Sequence, residues 1–487
     1  MDDEEKTKTN GNEEKDKIEI EEIHKTTEHS CVINGKEINY TVTAGTIVLR
    51  YEQDEKKPAP KAEVFYISYS KSNIEDLHNR PMMFSFNGGP GSSSVWLHLG
   101  MLGPKRVQVE DRDEKVLTPP YKLIENEFSI LDIADICFID PVGTGFSRSV
   151  EGEKSDQFYE VKADVEAIAE FIRIFTTRNQ RWTSPKFLIG ESYGTTRAAG
   201  LSGHLQDRHG LYLNGIILVS SILDFSTTQS DLGARLLLPT LAATSWYHNL
   251  LDLKFNNIET FLDQVKSFCN NELLIAYNKG DSLIGNERDE IIDKVSTFTG
   301  LSKEYIESVN LRLSVGAFNK ELLRLKKRTV GRLDSRYLGI DKDAGGGVYT
   351  HDPSMTAIRG PYTATFNDYV RGELNFETDL LYEILGGLYT KWSYKPPTYA
   401  QQLNVAETLR DAISKNQALK IHVMNGYYDM ATPFHATEYT FNHLSLDPAL
   451  KNNVTMSYYE AGHMMYIKES CLPKIRNELI KFIQNSF

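Results

Sequence analysis

Lys186-Phe187-Leu188-Ile189-Gly190-Glu191-Ser192-Tyr193-Gly194-Thr195 is the stretch whose reading decides the fold. A short apolar run suits a strand buried on both faces of a sheet, and a helix is expected to open near Thr195. Between them stands Gly-x-Ser-x-Gly. Its glycines permit a turn so tight that the Ser192 hydroxyl projects into solvent above the sheet. The competing reading is a serine in an ordinary strand-to-helix loop.

Working outward, short apolar runs recur at 82–86, 136–140, 215–219, 420–424 and 454–459. Residues 156–178 place Val161, Val165, Ile168, Ala169, Ile172 and Phe175 on one helical face. Strand alternating with helix predicts a doubly wound, mostly parallel α/β sheet. Before it, Asn34-Gly35 between alternating runs reads as a hairpin. Further β runs at 46–51 and 63–69 flank a polar loop with Pro58 and Pro60. Residues 223–400 break the rhythm with helical stretches at 259–276 and 316–328. The expected organisation is therefore a disordered acidic tail (1–30), a first core segment (31–222), a largely helical cap insertion (223–400) and a second core segment (401–487).

The 487 residues carry a formal net charge of -13, of which -6 falls in positions 1–28. Nucleic-acid binding needs a basic surplus that this chain lacks, so no nucleic-acid partner is expected. No run of about 18 apolar residues appears, so no membrane span is expected either. Cys31, Cys137, Cys269 and Cys471 are far apart and form neither a CxxC pattern nor a disulfide scaffold. That usage, with an acidic N-terminus lacking an apolar leader, predicts a reduced, cytoplasmic protein.

A nucleophilic serine needs a base and a group that orients the base. In α/β-hydrolases these follow in the order Ser, Asp or Glu, His. Asp429, just after the run 420–424, and His463, just after 454–459, complete that order. Oxyanion donors are expected from the loop Asn87-Gly88-Gly89-Pro90-Gly91 and from Tyr193, the residue after the serine. The glycine-rich loop lacks the Gly-Lys-Ser/Thr of a phosphate-binding loop, and Gly143-Thr144-Gly145 reads as a turn. His204 and His209 are wrongly spaced for one helical face. No metal and no cofactor is expected. Trp96 is a candidate pocket residue, and His98 reads as structural. Tyr362, Phe366 and Tyr369 read as core rather than as a substrate pocket.

These residues resemble the serine carboxypeptidases, peptidase family S10. The resemblance rests on Phe86-Asn87-Gly88-Gly89-Pro90-Gly91-Ser92-Ser93-Ser94, Asp140-Pro141-Val142-Gly143-Thr144-Gly145-Phe146-Ser147, Gly190-Glu191-Ser192-Tyr193-Gly194 and Gly462-His463-Met464. The segments 351–355 and 425–434 look like the bacterial branch. The resemblance implies an α/β-hydrolase core with an inserted cap and release of C-terminal amino acids from peptides. It implies Ser192, Asp429 and His463 as the triad, and the Gly89 and Tyr193 amides as the oxyanion hole. Asn87 and Glu191 would bind the substrate's terminal carboxylate.

The chain also departs from the family pattern. Ser92 stands where the family has a disulfide cysteine, and Met101 where it has a second glutamate partnering Glu191. Tyr466 replaces an expected proline, and Gly426-Tyr427-Tyr428-Asp429 replaces Gly-Asp-x-Asp. Two close carboxyls share a proton that helps them hold a carboxylate at acid pH. Loss of one predicts a carboxypeptidase working nearer neutral pH. The alternative is an esterase, amidase or acyltransferase using the same triad, and a non-enzymatic scaffold is the third class.

Overall fold

In the computed structural model, residues 20–53, 56–109, 117–251, 257–395 and 402–487 are described. The chain opens with a β-meander: β1 (His24–Ile33), β2 (Lys36–Gln53) and β3 (Lys56–Lys71) pair antiparallel in sequence order. Asn34 and Gly35 both take positive φ, 49° and 72°, the two-residue turn that matches strand twist. The tail expected over 1–30 is therefore too long. His24–Ser30 belong to β1, where backbone pairing with Asn39–Gly45 orders even a polar stretch. Its first 19 residues lie outside the described residues. Pro58 and Pro60 stand within β3 rather than in a loop, beside a register shift between Leu49 and Arg50 of β2.

Parallel strands then take over: β4 (Met82–Phe86), β5 (Asp135–Ile139), β6 (Lys186–Glu191), β7 (Gly215–Val219), β8 (Lys420–Gly426) and β9 (Val454–Tyr459). The sheet runs β1-β2-β3-β5-β4-β6-β7-β8-β9, every neighbouring pair from β5 onward being parallel. Period-two alternation splits β7 between two cores: Ile216 and Leu218 face one, Ile217 and Val219 the other. On the first side pack α1 (Val161–Arg178) and α2 (Tyr193–His209).

The insertion after β7 is not a single cap. Its first half, with α3 (Ser230–Tyr247), α4 (Ile258–Phe268) and α5 (Gly285–Thr299), has a hydrophobic core of its own. Its second half, around α6 (Pro353–Gly372), packs Ile358, Tyr362, Phe366 and Tyr369 into the main core beneath the sheet. Burial of an aromatic stripe decides this, so the expectation of one cap over 223–400 is corrected to two units with different attachments. α7 (Ala406–Lys415) then returns the chain to the face of α1 and α2, and α8 (Leu472–Gln484) closes the opposite face. Among the described residues no helix is long and apolar enough to cross a membrane.

Candidate active site

Four loops at the C-terminal ends of β4, β6, β8 and β9 converge, as ligand-binding loops of open parallel sheets do. Ser192 follows β6 directly and stands at φ 59°, ψ -128°, before the first turn of α2. A side chain there costs roughly 1–3 kcal/mol of backbone strain. The turn closes because its flanks are glycine. A Cβ on Gly190 would lie 2.2 Å from the Gly194 carbonyl oxygen, and one on Gly194 would lie 2.8 Å from that of Phe86.

Asp429 is fully buried and its carboxylate is fixed from several sides. Oδ1 accepts from the amides of Ala431 (2.8 Å) and Thr432 (3.1 Å), and Oδ2 from the Thr432 hydroxyl (2.6 Å). Oδ2 also meets His463 Nδ1 at 2.7 Å. Nε2 is left as the ring nitrogen able to take a proton from Ser192, which lines the same cavity as His463. Burial opposes a charge on His463, but the Asp429 carboxylate outweighs it and holds the imidazole above its ordinary value.

The loop after β4 lies against the Ser192 turn: a Cβ on Gly88 would come within 2.4 Å of the Tyr193 amide nitrogen. Gly89 and Tyr193, the expected oxyanion donors, line the same cavity as Ser192. Beside them, Asn87 Nδ2 donates to Glu191 Oε1 at 2.8 Å, and the Tyr466 hydroxyl donates to Oε2 at 2.7 Å. Burial pushes the Glu191 carboxyl up to about 7, against the opposing pull of His463 and these two donors. The cavity over these groups measures about 710 Å³.

Several residues that hold the site escaped the sequence reading. Arg197 of α2 is fully buried, pairs with Asp164 of α1 at 2.8 Å and donates to the Asn87 carbonyl at 2.7 Å. A sequence signal existed: Asp164 falls on the apolar face of α1, between Val161 and Val165. Arg197→Ala would leave Asp164 as an uncompensated buried charge, and is expected to cost about 3–5 kcal/mol in urea denaturation. The insertion supplies a second support. Leu333 O accepts from the His463 amide (2.7 Å), Arg332 O from the Met430 amide (3.1 Å), and the Ser335 amide donates to Tyr428 O (3.0 Å). One cap segment thus ties together the loops carrying Asp429 and His463, and nothing local in sequence announced it. Tyr427, Tyr428 and Met430, which bracket Asp429, also pack into the cap core.

Other expected residues fall as follows. Trp96 lines the cavity, its indole donating to the Ser92 hydroxyl at 2.9 Å. His98 is buried away from the cavity, paired with the Tyr69 hydroxyl at 2.6 Å, and burial pushes it down to about 3. Tyr362, Phe366 and Tyr369 are core. Besides Trp96, the aromatic rings lining the cavity are Tyr193, Phe225, Tyr349, Tyr389 and Tyr394. Among the described residues no group of three or more His, Cys, Asp or Glu is placed to hold a metal ion.

The family model "Serine carboxypeptidase" matches residues 53–344. The yeast (Saccharomyces cerevisiae) pheromone-processing carboxypeptidase KEX1 is 31% identical over 160 residues, 31% of this chain and 20% of that protein. The chain thus aligns with about a fifth of the length of that curated relative. The mouse (Mus musculus) lysosomal protective protein is 23% identical over 407 residues, covering 81% of this chain and 78% of its own. The crystal structure of the yeast prohormone-processing carboxypeptidase superposes with a TM-score of 0.58 at 17% identity, covering 91% of each chain, and so shares this fold.

Proposed function

Because this chain belongs to the serine carboxypeptidase family, we propose that it releases amino acids one at a time from the C-termini of peptides through an acyl-enzyme on Ser192. One observation carries the reading. A buried carboxyl, Glu191, sits next to the nucleophile in sequence and faces the same cavity as His463. Glu191 in its acid form, with Asn87, grips a terminal carboxylate and so places the last peptide bond over Ser192. His463 Nε2 takes the Ser192 proton as Oγ attacks the carbonyl carbon. Asp429 holds the opposite ring nitrogen and balances the imidazolium. The Gly89 and Tyr193 amides receive the developing oxyanion. His463 then returns the proton to the departing amine, and water repeats the sequence in reverse to free the acid.

Mass spectrometry of a peptide mixture incubated with wild type and Ser192→Ala tests this. Successive loss of C-terminal residues with wild type alone is expected. Turnover of simple esters with no amino-acid release would favour the esterase or acyltransferase reading, for which Met101 in place of a second acid is the favouring observation.

The surroundings of His463 and Glu191 predict a bell-shaped profile. His463 must be neutral to act as base, and its raised value places the acid limb above its ordinary 6.5. Glu191 must be protonated to hold a carboxylate, so affinity falls as pH rises through about 7. On N-blocked dipeptides kcat/KM is expected to peak near neutrality, and a peak below pH 5 would sink the neutral-shifted optimum.

A reducing, cytoplasmic setting is part of the same proposal. Its support is that the four cysteines are buried and none is disulfide-bonded, and that Ser92 occupies the family's disulfide position.

A further inference from the structure

Two departures from the family pattern, Met101 and Tyr466, meet at one place. Met101 is buried in the main core, within the π-helical turn His98–Leu102. Its neighbour Gly100 clears the space for the Tyr466 ring: a Cβ there would lie 2.4 Å from Tyr466 Cε2 and 2.6 Å from the Tyr362 hydroxyl. Into that space Tyr466, itself fully buried, brings its hydroxyl to Glu191 Oε2 at 2.7 Å. The same turn has lost a carboxyl and admitted a phenol.

We infer that Tyr466 is a positioning residue of the carboxylate-binding end, standing in for the missing second acid and governing how readily Glu191 gives up the proton with which it grips a peptide's terminal carboxylate. This deepens the carboxypeptidase reading and rests on it. A second carboxyl and a phenol act differently. Two acids share one proton, so each keeps the other protonated. The Tyr466 phenol does not share its proton in this way: burial and the neighbouring Glu191 hold the phenol well above its ordinary value, so it stays un-ionised and donates to Glu191 Oε2. It therefore favours the ionised form of Glu191 and lowers the pH at which the grip is lost.

The other groups facing Glu191 are few. His463 from the loop after β9 favours its ionised form, Asp429 from the loop after β8 opposes it, and Asn87 donates to Oε1 from the loop after β4. Tyr362 approaches from α6, itself influenced by Arg106. Tyr466 donates to Oε2.

The test is Tyr466→Phe, which keeps the ring and removes the donor. kcat/KM is followed against pH for an N-blocked dipeptide with a free C-terminal carboxylate, and for an N-blocked amino-acid methyl ester without one. The alkaline limb for the dipeptide is expected to move up by about one pH unit, the size of one hydrogen bond to a charged group. KM above that limb falls accordingly, while the ester profile stays in place. If wild type cleaves the dipeptide and the Phe variant leaves its limb unmoved, or lowers both substrates equally, the inference is overturned and the carboxypeptidase reading stands. If wild type cleaves the ester and no dipeptide, that reading falls and takes the inference with it.

Discussion

Ser192→Ala is expected to lower kcat by on the order of 10⁶-fold, because the triad acts as a unit and its nucleophile cannot be replaced by its neighbours. Residual turnover of roughly 10³–10⁴ over water should survive, supplied by the oxyanion donors and binding alone. The fold should be unaffected: Ser192 is half-buried at a strained φ of 59°, and alanine at the same φ keeps that strain and loses only a hydroxyl. Labelling by a fluorophosphonate should vanish in the same variant. A wild-type Ser192 inert to that reagent would revive a scaffold role, and an Ala variant with near-normal turnover would move the nucleophile elsewhere.

Asp429→Asn is the second large effect, with kcat falling by on the order of 10⁴. The carboxylate accepts from the Ala431 and Thr432 amides, the Thr432 hydroxyl and His463 Nδ1. An amide has one acceptor oxygen. Wherever its NH₂ is placed, it opposes donors that were satisfied. If the NH₂ faces His463, it favours the tautomer with the proton on Nε2, which cannot accept from Ser192. Some loss of stability, about 1–3 kcal/mol, should accompany the change, since buried donors are left without partners. The pairing of a large kcat loss with a modest shift in the urea midpoint is the signature to look for. A variant retaining more than about a tenth of wild-type kcat would remove Asp429 from the triad.

Much of the site was legible because its chemistry is local. A turn that must be tight needs glycine at its flanks, so Gly190-Glu191-Ser192-Tyr193-Gly194 announces itself. Asp429 and His463 were readable from chain order and from their places after apolar runs. The Asn87–Gly91 loop was readable for the same reason. What escaped was long-range. The Arg197–Asp164 pair joins two helices and a loop, and only the packing of α1 on α2 brings them together. The Arg332–Ser335 strap bonds to loops more than 90 residues away in sequence, through backbone groups that carry no residue code. The aromatic stripe of α6 has helical spacing whichever surface it covers, and period cannot say whether it meets a substrate or a sheet.

By itself the sequence determined a doubly wound α/β chain and the tight turn that carries Ser192, because each depends on neighbours within a few residues, and it gave the expected order Ser192, Asp429, His463 along the chain. Set against the family it resembles, it also placed Met101 where that pattern expects an acidic partner for Glu191. Only the tertiary structure decided what replaced that partner. Met101 and Tyr466 are 365 positions apart, and no rule of spacing connects them. The space left by Gly100 and the return of the chain after β9 put a phenol on a buried carboxyl. The balance between burial and that donor then sets where Glu191 ionises, a property of a three-dimensional dielectric environment rather than of any residue in it.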